Sequence, residues 1–530
     1  MIHTAGTPTF SPERELERDI GAVLVPEVRV AGTIASPTEI VPSADYLRRF
    51  PPAGLVAFGR TPAGAVSPAR LLRAVRAQLA EFGEALPFAC CDLEQGAGLH
   101  FPEATRLPPA LALAAAALGA RKPEAGLQWL RRAGELTGRE ARALGVELVL
   151  APVADVNTAR DNPIIAVRSF GDDPKRAGSL ARAWLEGLQA AGAGGSAKHF
   201  PGHGDTSQDS HIEIARVTRD RAGLWEIELA PFRELCQAGV DTIMVGHLDV
   251  PALTGERGLP ATLSSQVIQE VLRGELSFRG VVLSDAMNMG ALAREGRRYA
   301  RAVEAGCDGL LCPHDPRAAA EELLLSLSEG RLSRERLAAA ARSMRELARR
   351  LLAQPVPAAP RHGSVGEFSS AEVRADLATE LAAASLVRSP APWPWRRGKP
   401  CEIGLQAPDH PAAEARRELS RLREELARDA SPAGVVLPVI CEVRAFHGGY
   451  GLTATELERL QERIAELRRL GWKVGVVWFG SPQTLPQSLW EDPEVPVLLA
   501  HAPTPPMFAA VGRWLAGQVE AGGSLPASLG

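Results

Sequence analysis

The chain has 530 residues and a near balance of charge, 59 Lys plus Arg against 63 Asp plus Glu for a net of −4. That length exceeds the size at which one hydrophobic core stops growing, so two domains are expected. The charge balance leaves no footprint for nucleic acid or an anionic membrane surface and favours a neutral or small ligand.

The cysteines (Cys90, Cys91, Cys236, Cys307, Cys312, Cys401 and Cys441) are odd in number. Their spacing shows neither a disulfide framework nor a zinc motif, and several sit in apolar runs as small hydrophobes. The opening stretch MIHTAGTPTFSPERELERDIG has neither a basic n-region nor an apolar h-region. No apolar run of about 18 residues follows, so a soluble, cytoplasmic protein with no membrane partner is expected. Only Lys122, Lys175, Lys198, Lys399 and Lys473 are lysines, which draws attention to any lysine in a suspected site.

In chain order, Ser11 followed by Pro12, with Glu13 and Glu15 behind, predicts a helix start. GAVLVP (21–26) then reads as a strand. Further short apolar runs recur at GLVAFG (54–59), PFACCDLE (87–94), VELVLAPVADV (146–156), GSAKHF (195–200), DTIMVGH (241–247), GVVLSDA (280–286) and DGLLCP (308–313). Ala/Leu/Arg-rich helical stretches separate them. Unalternating runs suggest strands covered on both faces, and strands alternating with helices suggest a parallel sheet. Eight such units predict an N-terminal (β/α)8 TIM-like barrel over 1–353, with a doubly wound open sheet as the alternative. Nearly every run ends on a chemically capable residue, namely Asp92, Asp155, Lys198, His247, Asp285 or His314. The carboxyl face of the strands is where barrel active sites lie.

Residues 354–399 read as a linker containing an Ala-rich helix (370–387). Beyond it VVLPVICEV, a helix from Thr453 to Leu470, KVGVVWFG and VPVLLAHA predict a smaller α/β sandwich-type domain over 400–530.

The densest group of ionisable residues is AKHFPGHGDTSQDSHIE (197–213), with Lys198, His199, His203, Asp205, Asp209 and His211. Its glycines and proline preclude one regular element, and such a loop at the end of a barrel strand points to function. Two chemistries compete. His and Asp could ligate a transition metal, but no H-E-x-x-H or comparable spacing is present. Alternatively, Asp209 could orient and charge-stabilise His211, two residues on, for proton transfer near neutral pH. A separate carboxylate, Asp285, directly follows the run in GVVLSDAMNMG (280–290). Taken alone it could simply cap the next helix. Beside an acid/base pair, it could instead serve as the nucleophile in glycoside cleavage with retention.

With these motifs in view, the chain resembles glycoside hydrolase family 3, in its β-N-acetylglucosaminidase branch. KHFPGHGDT followed by DSH is similar to the branch's signature loop. The resemblance implies His211 as acid/base, Asp209 as its dyad partner, Asp285 of LSDAMNM as nucleophile, a covalent glycosyl-enzyme and no metal or other cofactor. CDLEQGAG resembles the family's D-x-E-G-G segment, implying that Asp92 binds sugar hydroxyls. Lys198 and His199 look like the substrate-clamping pair, and Arg168 of VRSFGDDP like a sugar-contacting arginine. Two departures stand out: Gln95 replaces the first Gly of the G-G pair, and His100 stands where many members place a substrate-contacting Arg.

The expected activity is exo-hydrolysis of terminal β-linked N-acetylglucosamine from small saccharides such as cytosolic cell-wall (muropeptide-type) fragments. The alternatives are phosphorolysis, a β-glucosidase or xylosidase of the same family, a metal-dependent barrel hydrolase, and an inactive sugar-binding protein.

Overall fold

The computed structural model describes residues 11–31, 39–58, 68–160, 162–208, 214–355, 371–393, 402–403, 420–421, 435–440, 443–444, 449–450, 452 and 454–527. The first helix, Pro12–Val23, starts as expected: Ser11 Oγ accepts from Arg14 N at 3.2 Å, with Pro12 at the first position. It runs on through Gly21–Val23, which the sequence pattern had placed in a strand. No breaker precedes Leu24, so the apolar residues continue the helix and leave strand β1 only Leu24–Val25.

The remaining apolar runs form β2 Gly54–Val56, β3 Phe88–Cys91, β4 Leu148–Val149, β5 Gly194–Phe200, β6 Thr242–Val245, β7 Val281–Ser284 and β8 Leu310–Leu311. Strands β2 to β7 form one six-stranded parallel sheet in chain order, and β1 pairs in parallel with β8. Parallel bridges Glu27–Val56 and Leu283–Gly309 join this pair to both ends of the sheet. Val56 N donates to Pro26 O and Ser284 N to Gly309 O, each at 2.9 Å, so the sheet curls back towards its own beginning. Its strands are buried throughout, which is why their residues do not alternate between apolar and polar.

The C-terminal sheet contains β9 Val387–Arg388, β10 Glu402–Ile403, β11 Val435–Ile440, β12 Val474–Phe479 and β13 Val497–Leu499. They lie in the order β9-β13-β12-β11-β10, parallel except for β9, which runs antiparallel to β13. Two elements in the stretch expected as a linker are therefore structural. β9 is an edge of this sheet, and the helix Ala371–Ser385 buries Ala382 and Ala383 in a cluster with Ala112, Met507 and Phe508. Small side chains on the facing surfaces let the helix Ala110–Gly119 approach closely enough to share that core. The final segment adds two ties, Gly523 N to Leu386 O and Ser524 N to Ala115 O, both 3.0 Å. Among the described residues no helix is long and apolar enough to cross a membrane.

Candidate active site

The carboxyl ends of β3 and β5 bring opposite charges together. Lys198, at the end of β5, donates from Nζ to Asp92 Oδ1 at 2.5 Å and lies 2.6 Å from Glu94 Oε1. Arg168, carried by the loop after β4, grips the same Glu94 with both prongs. Its Nε and Nη2 each lie 2.9 Å from a carboxylate oxygen. Burial alone would raise the Glu94 pKa, but the charges and hydrogen bonds of Arg168 and Lys198 outweigh it and hold the carboxyl well below its usual range. Burial likewise works against the Lys198 ammonium, and Asp92 and Glu94 more than restore it, raising its pKa. The cluster pairs two cations with two carboxylates.

Beside it, His199 is fixed by Asp155, which is fully buried. His199 Nδ1 lies 2.7 Å from Asp155 Oδ2, and the His199 N–H donates to both carboxylate oxygens at 3.2 and 3.3 Å. The His203 N–H donates to Oδ1 at 2.7 Å. With four contacts converging on it, the Asp155 carboxylate favours the tautomer in which Nδ1 carries the proton. His199 Nε2 is then left as an acceptor, 3.3 Å from Arg168 Nη2.

The loop after β5 lies flat on the loop after β4. Asn162 Nδ2 donates to His203 O at 2.8 Å, and Ala159 N to Gly204 O at 3.1 Å. A Cβ on Gly204 would stand 1.7 Å from Val156 O, so only glycine permits this approach. His203 Nδ1 lies 2.7 Å from Thr206 Oγ1, and burial pushes the imidazole down to about 4, keeping it neutral at neutral pH. Asp205 is held by Arg219 at 3.0 Å, and Arg219 by the buried Glu228 at 2.9 Å. Asp209 and His211 lie outside the described residues.

Asp285 follows β7 directly and is partly exposed. Its N–H donates to Val245 O at 2.9 Å, and its Oδ1 accepts the Ala286 N–H at 2.7 Å. The next α-helix begins only at Arg298, so Asp285 is not that helix's cap. His247, from the end of β6, bridges Ala286 O at 3.1 Å and Thr262 Oγ1 at 2.8 Å. Burial lowers its pKa against the opposing charge of Asp285.

Asp92, Arg168, Lys198 and His199 thus fall in one connected cluster. The His100 backbone N–H closes the short turn Ala97–Leu99 by donating to Ala97 O, and its ring packs 5.6 Å from the Phe58 ring. Gln95, the departure from glycine, accepts from Arg106 Nε at 3.2 Å. Glu94 and Asp155 carry more of the cluster than their sequence context indicated. Glu94 had one usable signal, its place two residues after Asp92 at a strand exit. Asp155 had only its strand-end position. Among the described residues no group of three or more His, Cys, Asp and Glu side chains is arranged to hold a metal ion.

Residues 45–347 match the glycosyl hydrolase family 3 N-terminal domain. A beta-hexosaminidase of Xanthomonas campestris pv. campestris (strain B100) is 38% identical over 303 residues, covering 56% of this chain and 86% of that protein. A beta-hexosaminidase of Xylella fastidiosa (strain 9a5c) is 36% identical over 298 residues, covering 54% and 82%. The solved glycoside hydrolase family 3 beta-N-acetylglucosaminidase from Paenibacillus sp. str. FPU-7 aligns at a TM-score of 0.75 and 27% identity, covering 97% of this chain and 99% of that one.

Proposed function

The chain belongs to glycosyl hydrolase family 3 and is a glycosidase, and from that premise we propose that it removes terminal β-linked N-acetylglucosamine from small saccharides with retention. The curled parallel sheet is taken as a (β/α)8 barrel. The observation that carries the reading is the shared address of the ionisable groups. Lys198 with Asp92 and Glu94, His199 with Asp155, and Asp285 all sit at or just beyond the carboxyl ends of parallel strands.

In the proposed reaction Asp92, Lys198, Arg168 and His199 hold the sugar, and His100 lines the site. An Asp285 carboxylate oxygen attacks the anomeric carbon as the bond to the leaving oxygen breaks. His211, oriented by Asp209, gives that oxygen its proton. His211 then takes a proton from water, whose oxygen displaces Asp285 and regenerates the enzyme. The hydrogen bond from the Ala286 N–H to Asp285 Oδ1 supports this role, because it fixes the carboxylate's orientation. The beta-hexosaminidases with which the chain shares 36–38% identity support the choice of sugar.

The test is a panel of p-nitrophenyl glycosides. The N-acetylglucosaminide is expected to turn over fastest, and faster cleavage of the glucoside or xyloside would overturn the assignment of the sugar.

A further inference from the structure

The family match ends at residue 347, yet a side chain far beyond it reaches the loop that builds the sugar site. Gln483 lies in the turn Pro482–Thr484 after β12, and Asn157 two residues past Asp155. Asn157 Nδ2 donates to Gln483 Oε1, and Gln483 Nε2 donates to Asn157 O at 2.8 Å. The two residues are only 1% and 5% exposed, so water does not compete for these bonds. Gln483 is itself held firmly: Ser481 Oγ accepts its N–H at 3.3 Å, and Trp478 Nε1 fixes Thr484 Oγ1 at 3.2 Å.

The barrel side of the contact is equally tied. Asn157 N donates to Gly171 O at 3.0 Å, and Ser169 Oγ bridges Asp155 O and Gly171 O at 2.7 and 2.9 Å. Asp155, Arg168 and Asn157 therefore belong to one stitched segment. Its far end meets the C-terminal domain again, since a Cβ on Gly171 (φ +134°) would stand 2.4 Å from Pro526 O.

We propose that Gln483 is a positioning residue for the sugar site, acting through Asn157 to hold the segment that carries Asp155 and Arg168. The C-terminal domain is then a working part of the active site. The inference rests on the reading that Arg168 and His199 hold the sugar.

The test compares wild type with Gln483→Ala, Asn157→Ala and the double variant, all full length, on p-nitrophenyl N-acetyl-β-glucosaminide. Gln483→Ala is expected to raise KM and lower kcat/KM about tenfold. The double variant should lose no more than the worse single one, because both break the same link. Singles within twofold of wild type in KM and kcat, or losses that multiply in the double variant, would overturn the proposal, whatever happens to Tm. If Gln483→Ala does not fold, Gln483→Glu decides on the same criteria, since it keeps the volume but sets a carboxylate against Asn157 O. A wild type inactive on every glycoside would instead defeat the underlying reading of the sugar site.

Discussion

His199 Nδ1 lies 2.7 Å from Asp155 Oδ2, inside a carboxylate that also receives the backbone N–H groups of His199 and His203. Three donors on one buried acceptor leave no place for an amide. Asp155→Asn would turn an NH2 towards one of them and leave a buried donor unpaired, at about 1–3 kcal/mol. The expected result is kcat/KM lower by roughly 10- to 100-fold with a reduced Tm, checked by steady-state kinetics and thermal melts. Wild-type kinetics in this variant would remove His199 orientation from the account.

Glu94 joins Lys198 and Arg168, so Glu94→Gln leaves the buried Lys198 and the part-buried Arg168 with Asp92 as the nearest remaining carboxylate. Removing one partner of a buried ion pair costs about 3–5 kcal/mol. The Glu94 carboxyl is held well below its usual range, so its contribution is present above the unfolded value of about 4.3. It is lost as pH falls through the lower folded value. The wild type should therefore have a steeper acid limb in Tm than Glu94→Gln between pH 5 and 3, and parallel curves would contradict this.

Glu228 behaves oppositely. Burial pushes its carboxyl up to about 7, with Arg219 opposing, and Oε2 has no partner among the described residues. Between the unfolded carboxylate value and 7 the folded protein binds more protons than the unfolded chain. Stability from this group is thus full below the unfolded pKa of about 4.3 and is lost as pH rises to the folded value of about 7, by about 4 kcal/mol in all at ~1.4 kcal/mol per pKa unit. Melts at pH 5 and 8 should show a larger drop for wild type than for Glu228→Gln. An equal drop would place the proton elsewhere.

Gly204→Ala puts a methyl 1.7 Å from Val156 O, a backbone atom that cannot rotate away. The loop after β5 must lift, with overpacking costs of about 1–3 kcal/mol. Activity is expected to fall by at least tenfold because the lifted loop carries His203 and follows directly on the strand end that holds His199. Kinetics near wild type would show that the close contact is dispensable.

The strands were legible because burial on both faces requires continuous apolar runs, and all eight runs from GAVLVP to DGLLCP contain a strand. Their ends were less so. Gly21–Val23 carries apolar side chains compatible with either element, and the capped helix simply extended through it. Lys198 and Asp92 were readable as strand-end polar residues. Asp155 was readable in the same way, but its hold on His199, and that of Glu94 on Lys198 and Arg168, emerged only from distances between separate loops. Gln483 was out of reach for the same reason, since a polar residue after a strand in a second domain carries no mark of the carbonyl it will meet.

The central claim is that Asp285 forms the bond to the sugar. It is tested most directly by trapping the enzyme with a 5-fluoro N-acetylglucosaminyl mechanism-based inactivator and mapping the modified peptide by mass spectrometry. The account predicts one glycosyl adduct on Asp285 within VVLSDAMNMG, absent from Asp285→Ala. An adduct on another carboxylate, with Asp285→Ala fully active, would contradict it.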